Sequence, residues 1–185
     1  MISAGYMFKK ISPRPSWVKN KHVENIYSVS SCCSDDFTDY INYWKHNGYW
    51  LFNNVADMDD IIKSENLDSS KLTLFYYEAH KEEYDEDVKS WVKFENEKSF
   101  ETNIIKPETA KLHGYDVVTF TQGTSPECSP LSCNSFADEI DVNKHCLFGT
   151  FSEAKEAIES GVFTEGEPGP YRIFSVYLVD KLRSV

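Results

Sequence analysis

The chain has 185 residues, of which 41% are hydrophobic and 15% aromatic, which is enough apolar surface for the core of one domain. Its 30 Asp and Glu residues outnumber its 19 Lys and Arg residues, so the formal net charge is −11 at pH 7. An excess of negative charge repels nucleic acid and anionic membranes, and we expect neither as a direct partner. This negative charge favours a basic protein as the partner.

The N-terminal sequence and the cysteine content together predict the compartment. MISAGYMFKKISPRP lacks the apolar core of a signal peptide, and no stretch reaches the roughly 18 apolar residues that a membrane span needs. Five cysteines are an odd number in a chain without secretory features: Cys32, Cys33, Cys128, Cys133 and Cys146. We therefore expect a cytoplasmic protein with reduced cysteines.

The first predicted elements are a strand in ENIYSVS (24–30), a Cys/Ser-rich loop and two helices. Ser34 can cap the first helix, which ends at Gly48 and has apolar residues at i, i+3, i+4 and i+7: Phe37, Tyr40, Ile41 and Trp44. Asn54 can cap the second helix, whose inner face is Val55, Met58, Ile61 and Ile62. A long apolar strand, KLTLFYYEAH (71–80), follows.

An acidic segment comes next, in which carboxylates alternate with aromatic rings. Such a run is commonly a solvated face, but rings and carboxylates together also suit a surface that docks on a basic protein. The candidate partner-binding residues are Glu78, Glu82, Glu83, Tyr84, Asp85, Glu86, Asp87 and Trp91.

The second half of the chain repeats the same kinds of element. GYDVVTF (114–120) predicts a strand, and a helix is expected to begin near Phe136. Thr150 and Glu153 form a capping box for a further helix that stops at Gly161. The rigid turn EGEPGPY then leads into the last predicted strand, YRIFSVYLVD (171–180).

An internal alignment connects the two halves. LFNNVADMDDIIKS (51–64) aligns without a gap with LFGTFSEAKEAIES (147–160), and residues 37–46 align with 136–145. We interpret this as a tandem duplication, with halves at about 7–82 and 112–181 in a single domain of residues 1–185. The predicted fold is α+β, with two pseudo-repeated β-α-β-α-β-like halves packed into one unit. Chance similarity between capped amphipathic helices is the alternative.

The loop TSPECSPLSCNSF (124–136) supports three interpretations. Cys133, near the start of the predicted helix, could be a nucleophile with His113 or His145 as base, so the candidate catalytic set is Cys128, Cys133 and His145. Alternatively, Cys128 and Cys133 have a spacing suited to zinc, with Cys146 as a further ligand. The third interpretation is structural: buried thiols, and hydroxyls that satisfy the backbone.

Common catalytic motifs are missing from the sequence. It contains no phosphate-binding glycine loop, no Gly-x-Ser-x-Gly and no His-Glu-x-x-His, so we expect no cofactor. We predict an acidic cytoplasmic protein-binding domain, such as an immunity protein or inhibitor that neutralises a basic nucleic-acid-processing enzyme or toxin. The alternative is a cysteine-dependent or zinc-bound enzyme centred on the Cys128–Cys133 loop.

Overall fold

The computed structural model describes residues 1–30, 33, 47–95, 98–101, 103–120 and 128–180. Its strands are β1 (Ile2–Lys10), β2 (Ser12–Pro13), β3 (Asn25–Ile26), β4 (Leu72–Ala79), β5 (Glu82–Asp85), β6 (Ser90–Lys93), β7 (Ala110–Thr119) and β8 (Tyr171–Val179). Its α-helices over these ranges are α1 (Val55–Ser64), α2 (Pro130–Cys133) and α3 (Phe151–Glu159). No helix in this part of the chain is long and apolar enough to cross a membrane.

Six of the strands form one antiparallel sheet around β8. The whole length of β8 pairs with β7 on one side, and its other side pairs first with β5 and then with β4. β1 continues the sheet beyond β4, and β6 continues it beyond β5. This central position explains why all but one residue of β8 is buried and why its sequence is apolar and aromatic.

The two faces of the sheet carry two separate hydrophobic cores. Phe174 and Val176 of β8 join the core that contains the buried side chains of α1. Tyr171 and Ile173 join the other core, which contains Ala154 and Ile158 of α3. Because neighbouring residues of a strand point to opposite faces, α1 and α3 lie on opposite sides of the sheet.

The predicted caps of α1 and α3 are confirmed. The Asn54 side chain accepts a hydrogen bond from the Asp57 backbone N–H at 2.9 Å. In α3, Thr150 Oγ1 accepts from the Glu153 N–H at 3.2 Å, and Glu153 Oε2 accepts from the Thr150 N–H at 2.8 Å. These bonds satisfy N–H groups that a helix N-terminus leaves without intrahelical partners.

The predicted β-α-β-α-β halves are wrong. The helix expected from Phe136 is a single 3₁₀ turn, Phe136–Asp138, and the earlier helix expected after Ser34 falls outside the described residues. The Ala137 carbonyl accepts from Asn20 Nδ2 at 2.8 Å, while the Asp138 carboxylate accepts from the Lys19 and Asn20 N–H groups. The first of these bonds occupies a backbone carbonyl that a continuing helix would use for its own hydrogen bonding. The result is a predominantly antiparallel β structure with short helices.

The halves nevertheless share one turn, at 47–52 and 143–148. Asn47 and Asn143 correspond with the offset of the alignment of 51–64 with 147–160, whereas the alignment of residues 37–46 with 136–145 pairs Asn143 with Trp44 and is wrong at this point. Asn47 donates from Nδ2 to the Ala4 carbonyl at 2.7 Å, and Asn143 donates in the same way to the His113 carbonyl at 2.8 Å. In both turns the Asn Oδ1 accepts from the N–H two residues later, at 2.9 Å. The duplication with halves at about 7–82 and 112–181 stays a prediction, and this shared turn supports it.

Each of the two turns packs against a strand at the position of a glycine, Gly5 of β1 for the first turn and Gly114 of β7 for the second. Gly5 has φ +142° and Gly114 has φ +149°, values that residues with a side chain rarely adopt. A Cβ atom on Gly114 would lie 2.5 Å from the Phe148 carbonyl oxygen, and one on Gly5 would lie 2.6 Å from Leu51 Cβ. Glycine is therefore required at both positions.

Candidate functional site

A buried lysine holds the segment that follows β3. Lys9 is 2% exposed, and its ammonium donates to three successive carbonyl oxygens, those of Ser28 and Val29 at 2.8 Å and that of Ser30 at 3.0 Å. An ammonium group has three N–H donors, so these carbonyls can use all of them. Backbone dipoles thus compensate the buried positive charge.

A buried carboxylate holds the same segment. Asp116 of β7 accepts from the Ser129 hydroxyl at 2.6 Å, from the Val29 N–H at 2.8 Å and from the Ser28 hydroxyl at 3.1 Å. Burial raises the pKa of Asp116 to about 6, although these hydrogen bonds and the charge of Lys9 oppose the rise. The chain at 28–30 is therefore clamped between a cation and a carboxyl group.

The predicted reactive loop lies beside this clamp, and residues 124–127 of it are outside the described ranges. Cys128 is buried, and its thiol lies 3.6 Å from Asn134 Oδ1. Cys133 is the last residue of α2, where the negative end of a helix does not favour a thiolate. The expectation that Cys133 sits at a helix N-terminus is therefore wrong.

Cys133 lies beside a cysteine from the counterpart loop of the first half. The Sγ atoms of Cys33 and Cys133 are 3.6 Å apart, and both residues are half-buried. Cys146 is deeply buried, which raises the pKa of its thiol. Within the described ranges, no group of three or more His, Cys, Asp or Glu side chains is arranged to hold a metal ion.

His145, the candidate base, is engaged in a ring cluster. Its imidazole stacks on Tyr27 with centroids 4.0 Å apart, and its Nδ1 lies 2.7 Å from Asn25 Oδ1. The His113 ring packs against it edge-on at 4.9 Å. Burial, together with the charges of His113 and Lys144, lowers the pKa of His145 to about 4, so the ring is neutral at pH 7. These contacts give His145 a structural role between β3 and the shared turn.

The candidate partner-binding residues lie mainly on the β5–β6 hairpin, and most are less exposed than a docking surface requires. Only Asp87 of the eight is exposed, Tyr84 is buried, and the other six are half-buried. Tyr84 is 8% exposed and belongs to the core beneath α3. Its ring contacts that of Trp91 edge-on at 5.5 Å. Tyr84 therefore stabilises the hairpin and is not available as an anchor.

Several of the acidic residues have internal partners. Glu86 accepts from the Gly169 N–H at 2.6 Å, from Thr164 Oγ1 at 3.1 Å and from the Tyr171 hydroxyl at 3.2 Å. Asp85 Oδ1 accepts from the backbone N–H groups of residues 87 and 88 in the hairpin turn. Both carboxylates thus fix the position of this turn.

The remaining acids are spread along β4 and β5. Glu78 accepts from the Tyr177 hydroxyl at 2.6 Å and lies 3.5 Å from Lys106 Nζ. Glu82 pairs with His80 at 3.4 Å. Burial raises the pKa of Glu83. The sequence segment therefore does not provide one continuous exposed acidic surface by itself.

The tertiary structure adds acids from α3 and the loop after it. Trp91 Nε1 donates to Glu159 Oε1 at 2.7 Å, and Lys155 Nζ lies 5.3 Å from the centre of the Trp91 ring, so the hairpin rests on α3. Exposed acids lie on α3 and next to these contacts, and we call them together the acidic face: Asp87, Glu153, Glu156, Glu159 and Glu165. Glu159 also lies 3.8 Å from Lys155 Nζ. The acids of α3 could have been found in the sequence from their spacing of three residues, but no sequence pattern indicated that α3 contacts the hairpin.

A buried arginine in β8 was also missed. Arg172 is 0% exposed and donates from Nη2 to the His80 carbonyl at 2.6 Å. Its guanidinium lies 3.8 Å from the centre of the Phe94 ring, with Tyr49 and Phe120 farther away. Its Nε and Nη1 have no hydrogen-bond partner in the part of the chain that the structure describes. Burial lowers the pKa of Arg172.

Comparison with protein-family models, with curated proteins and with solved structures finds no match for this chain.

Proposed function

We propose that this protein is an acidic cytoplasmic protein-binding domain that docks on a basic protein through the acidic face, in the manner of an immunity protein or other inhibitor. The observation that carries the proposal is the fixed contact between the β5–β6 hairpin and α3. Trp91 bonds Glu159 from one side, and Glu86 bonds the 164–169 turn from the other. Carboxylates from distant parts of the sequence are thereby presented on one surface.

Two physical properties of this surface support binding to a basic partner. Its framework is held by side-chain hydrogen bonds that join the hairpin to α3 and to the 164–169 turn, so little conformational entropy is lost when a partner docks. Its exposed carboxylates, in a chain with a net charge of −11, attract a basic protein during encounter. The proposed partner is a basic nucleic-acid-processing enzyme or toxin, whose own substrate is an anion.

A matched pair of charge variants tests the position of the docking surface. The face variant carries Asp87→Asn, Glu156→Gln and Glu165→Gln. The control variant carries three neutralised acids on the opposite side of the sheet, at or just after α1: Asp59→Asn, Asp60→Asn and Glu65→Gln. Both lose three negative charges, and neither set removes an N-cap side chain or a buried carboxylate. Glu65 caps the C-terminus of α1 through its backbone N–H, which glutamine keeps.

The measurement is capture from an extract of the native cells, followed by binding kinetics with the purified captured protein. Wild type and the control variant should retain the same basic protein, while the face variant should associate at least about ten-fold more slowly. Association of the wild type should also slow as salt rises from 0.05 to about 0.5 M, because the Debye length falls from about 14 to about 4 Å. Equal effects of the two variants would contradict the proposal.

The inhibitory role requires a separate readout. If the captured protein is an enzyme, a stoichiometric amount of wild-type protein should abolish its activity on nucleic acid, and the face variant should need a higher concentration for the same effect. Binding without any loss of that activity would refute inhibition while leaving the docking surface in place.

A further inference from the structure

The cysteines of the two counterpart loops form a pair that the proposed function does not use. Cys33 follows the clamped segment 28–30, and Cys133 ends α2, which begins after Ser129. Their Sγ atoms are 3.6 Å apart although the residues are 100 positions apart in sequence. Because both side chains are half-buried, a small reagent can reach the pair while the fold holds it in place.

We propose that Cys33 and Cys133 are a thiol–disulfide redox site, oxidised to a reversible disulfide by exchange with a low-molecular-weight disulfide of the glutathione class. A disulfide bond is about 2.05 Å long, so the sulfur atoms need to approach by about 1.5 Å. Rotation of one or both side chains between rotamers can supply a movement of this size.

The reaction proceeds by two exchange steps. One protein thiolate attacks a sulfur of the small disulfide, forms a mixed disulfide and releases one small thiolate. The second protein thiolate then attacks the protein sulfur of that mixed disulfide, forms the Cys33–Cys133 bond and releases the second small thiolate. The two protons lost by the protein thiols are taken up by the released thiolates, and the small disulfide receives both electrons.

The other described cysteines are less suited to this exchange. Cys128 is buried with its thiol toward Asn134, and the deep burial of Cys146 keeps its thiol protonated and removed from solvent. The bond would link the segment after β3 covalently to α2. Ser28 and Val29 of that segment and Ser129, the N-cap residue of α2, hydrogen-bond to Asp116, so oxidation would link two parts of the chain that meet at this buried carboxyl group.

The test uses the full chain, equilibrated in buffers with increasing ratios of oxidised to reduced glutathione, then quenched, alkylated and mapped by mass spectrometry. The expected product is a peptide pair joined through Cys33 and Cys133, with three of the five cysteines still alkylated. It should form at a ratio at least about ten-fold lower in the native protein than in the urea-unfolded chain, because folding raises the effective concentration of one thiol at the other.

Single substitutions identify the sulfur atoms. Cys33→Ser and Cys133→Ser should each stop the reaction at a mixed disulfide with glutathione, whereas Cys32→Ser and Cys128→Ser should leave the cross-link unchanged. The mapping of wild type decides the question even if one of these variants fails to fold. A cross-link through another cysteine, a mixed disulfide alone in wild type, or equal ratios for native and unfolded chain would overturn the proposal.

Discussion

Replacing Gly114 by alanine should destabilise the protein strongly, because this position combines a backbone constraint with a close contact. Its φ of +149° lies in a region that is nearly restricted to glycine. The added Cβ would lie 2.5 Å from the Phe148 carbonyl oxygen and 2.9 Å from Asn143 Nδ2. Both neighbours belong to the shared turn and cannot move without disturbing its hydrogen bonds.

The size of the effect follows from these contacts. The unfavourable backbone conformation costs about 1–3 kcal/mol. Moving the turn away weakens the two bonds between Tyr115 and Phe148, now 3.0 and 2.9 Å long, at about 1 kcal/mol each. Alanine also reduces the entropy of the unfolded chain, which returns about 0.4–1 kcal/mol. The free energy of unfolding should therefore fall by about 3 kcal/mol, and Tm by about 6–12 °C for a chain of this size.

Urea unfolding measures this change as a lower midpoint with an unchanged slope. Gly5→Ala should lose a similar amount, since its Cβ would lie 2.6 Å from Leu51 Cβ and its φ is +142°. Gly149→Ala is the control: Gly149 lies outside the positive-φ region, and among the described residues its Cβ would approach only Glu153 Oε2, at 3.2 Å. A shift of a few tenths of an ångström within the capping box relieves this contact, so the loss should stay below that of one hydrogen bond, about 1 kcal/mol. A loss below about 1 kcal/mol for Gly114→Ala, with the slope unchanged, would refute the reasoning.

Three further predictions concern the buried charges. Folding raises the pKa of Asp116 from 3.8 to about 6, so between about pH 4 and 6 this residue makes the free energy of unfolding fall as pH rises. Folding lowers the pKa of His145 from 6.5 to about 4, so over the same range this residue makes the free energy of unfolding rise. In urea unfolding across this range, the free energy of unfolding of wild type should increase relative to that of His145→Gln and decrease relative to that of Asp116→Asn as pH rises. Profiles that run parallel for wild type and variants would contradict these pKa shifts. Lys9→Met should lower the free energy of unfolding by about 3 kcal/mol because it leaves buried carbonyls without their donor. Lys21→Met, at an exposed loop position, should change it by less than about 0.5 kcal/mol, and similar losses for the two variants would argue against the clamp. Arg172→Met should be neutral or stabilising because it removes a buried charge whose Nε and Nη1 have no hydrogen-bond partner among the described residues, while Arg172→Ala should lose about 3 kcal/mol to a cavity. A large loss in the Met variant would show that the charge itself is needed.

Local hydrogen bonding explains what the sequence determined by itself. α1 and α3 were predictable because a cap and its partner lie three residues apart, as in Thr150 and Glu153, and because their apolar residues follow the helical period. The strands β4 and β8 were predictable because a central strand is apolar over most of its length. The alignment of 51–64 with 147–160 reaches only the last residues of the shared turn: residues 37–46 and 136–145 were aligned with a different offset, and the turn depends on bonds from Asn47 and Asn143 to carbonyls 43 and 30 residues away.

Elements that depend on distant partners were not predictable in this way. β1 contains Gly5 and ends in two lysines, and Lys9 is buried only because its ammonium meets carbonyls 19–21 residues later. The β5–β6 hairpin is strongly charged, and because its residues lack the apolar pattern of a strand, its strand pairing was not predicted from the sequence. The helix expected at Phe136 stops after one turn because residues 19–20 compete for its polar groups.

The candidate sites show the same division. Charge and cysteine content pointed to an acidic surface and to the Cys128–Cys133 loop, since composition can be counted along the chain. Only the tertiary structure buried Tyr84, joined Trp91 to Glu159 and placed Cys33 beside Cys133. Each of these outcomes depends on the pairing of strands and the packing of both sheet faces, which bring together side chains that local sequence patterns cannot relate to one another.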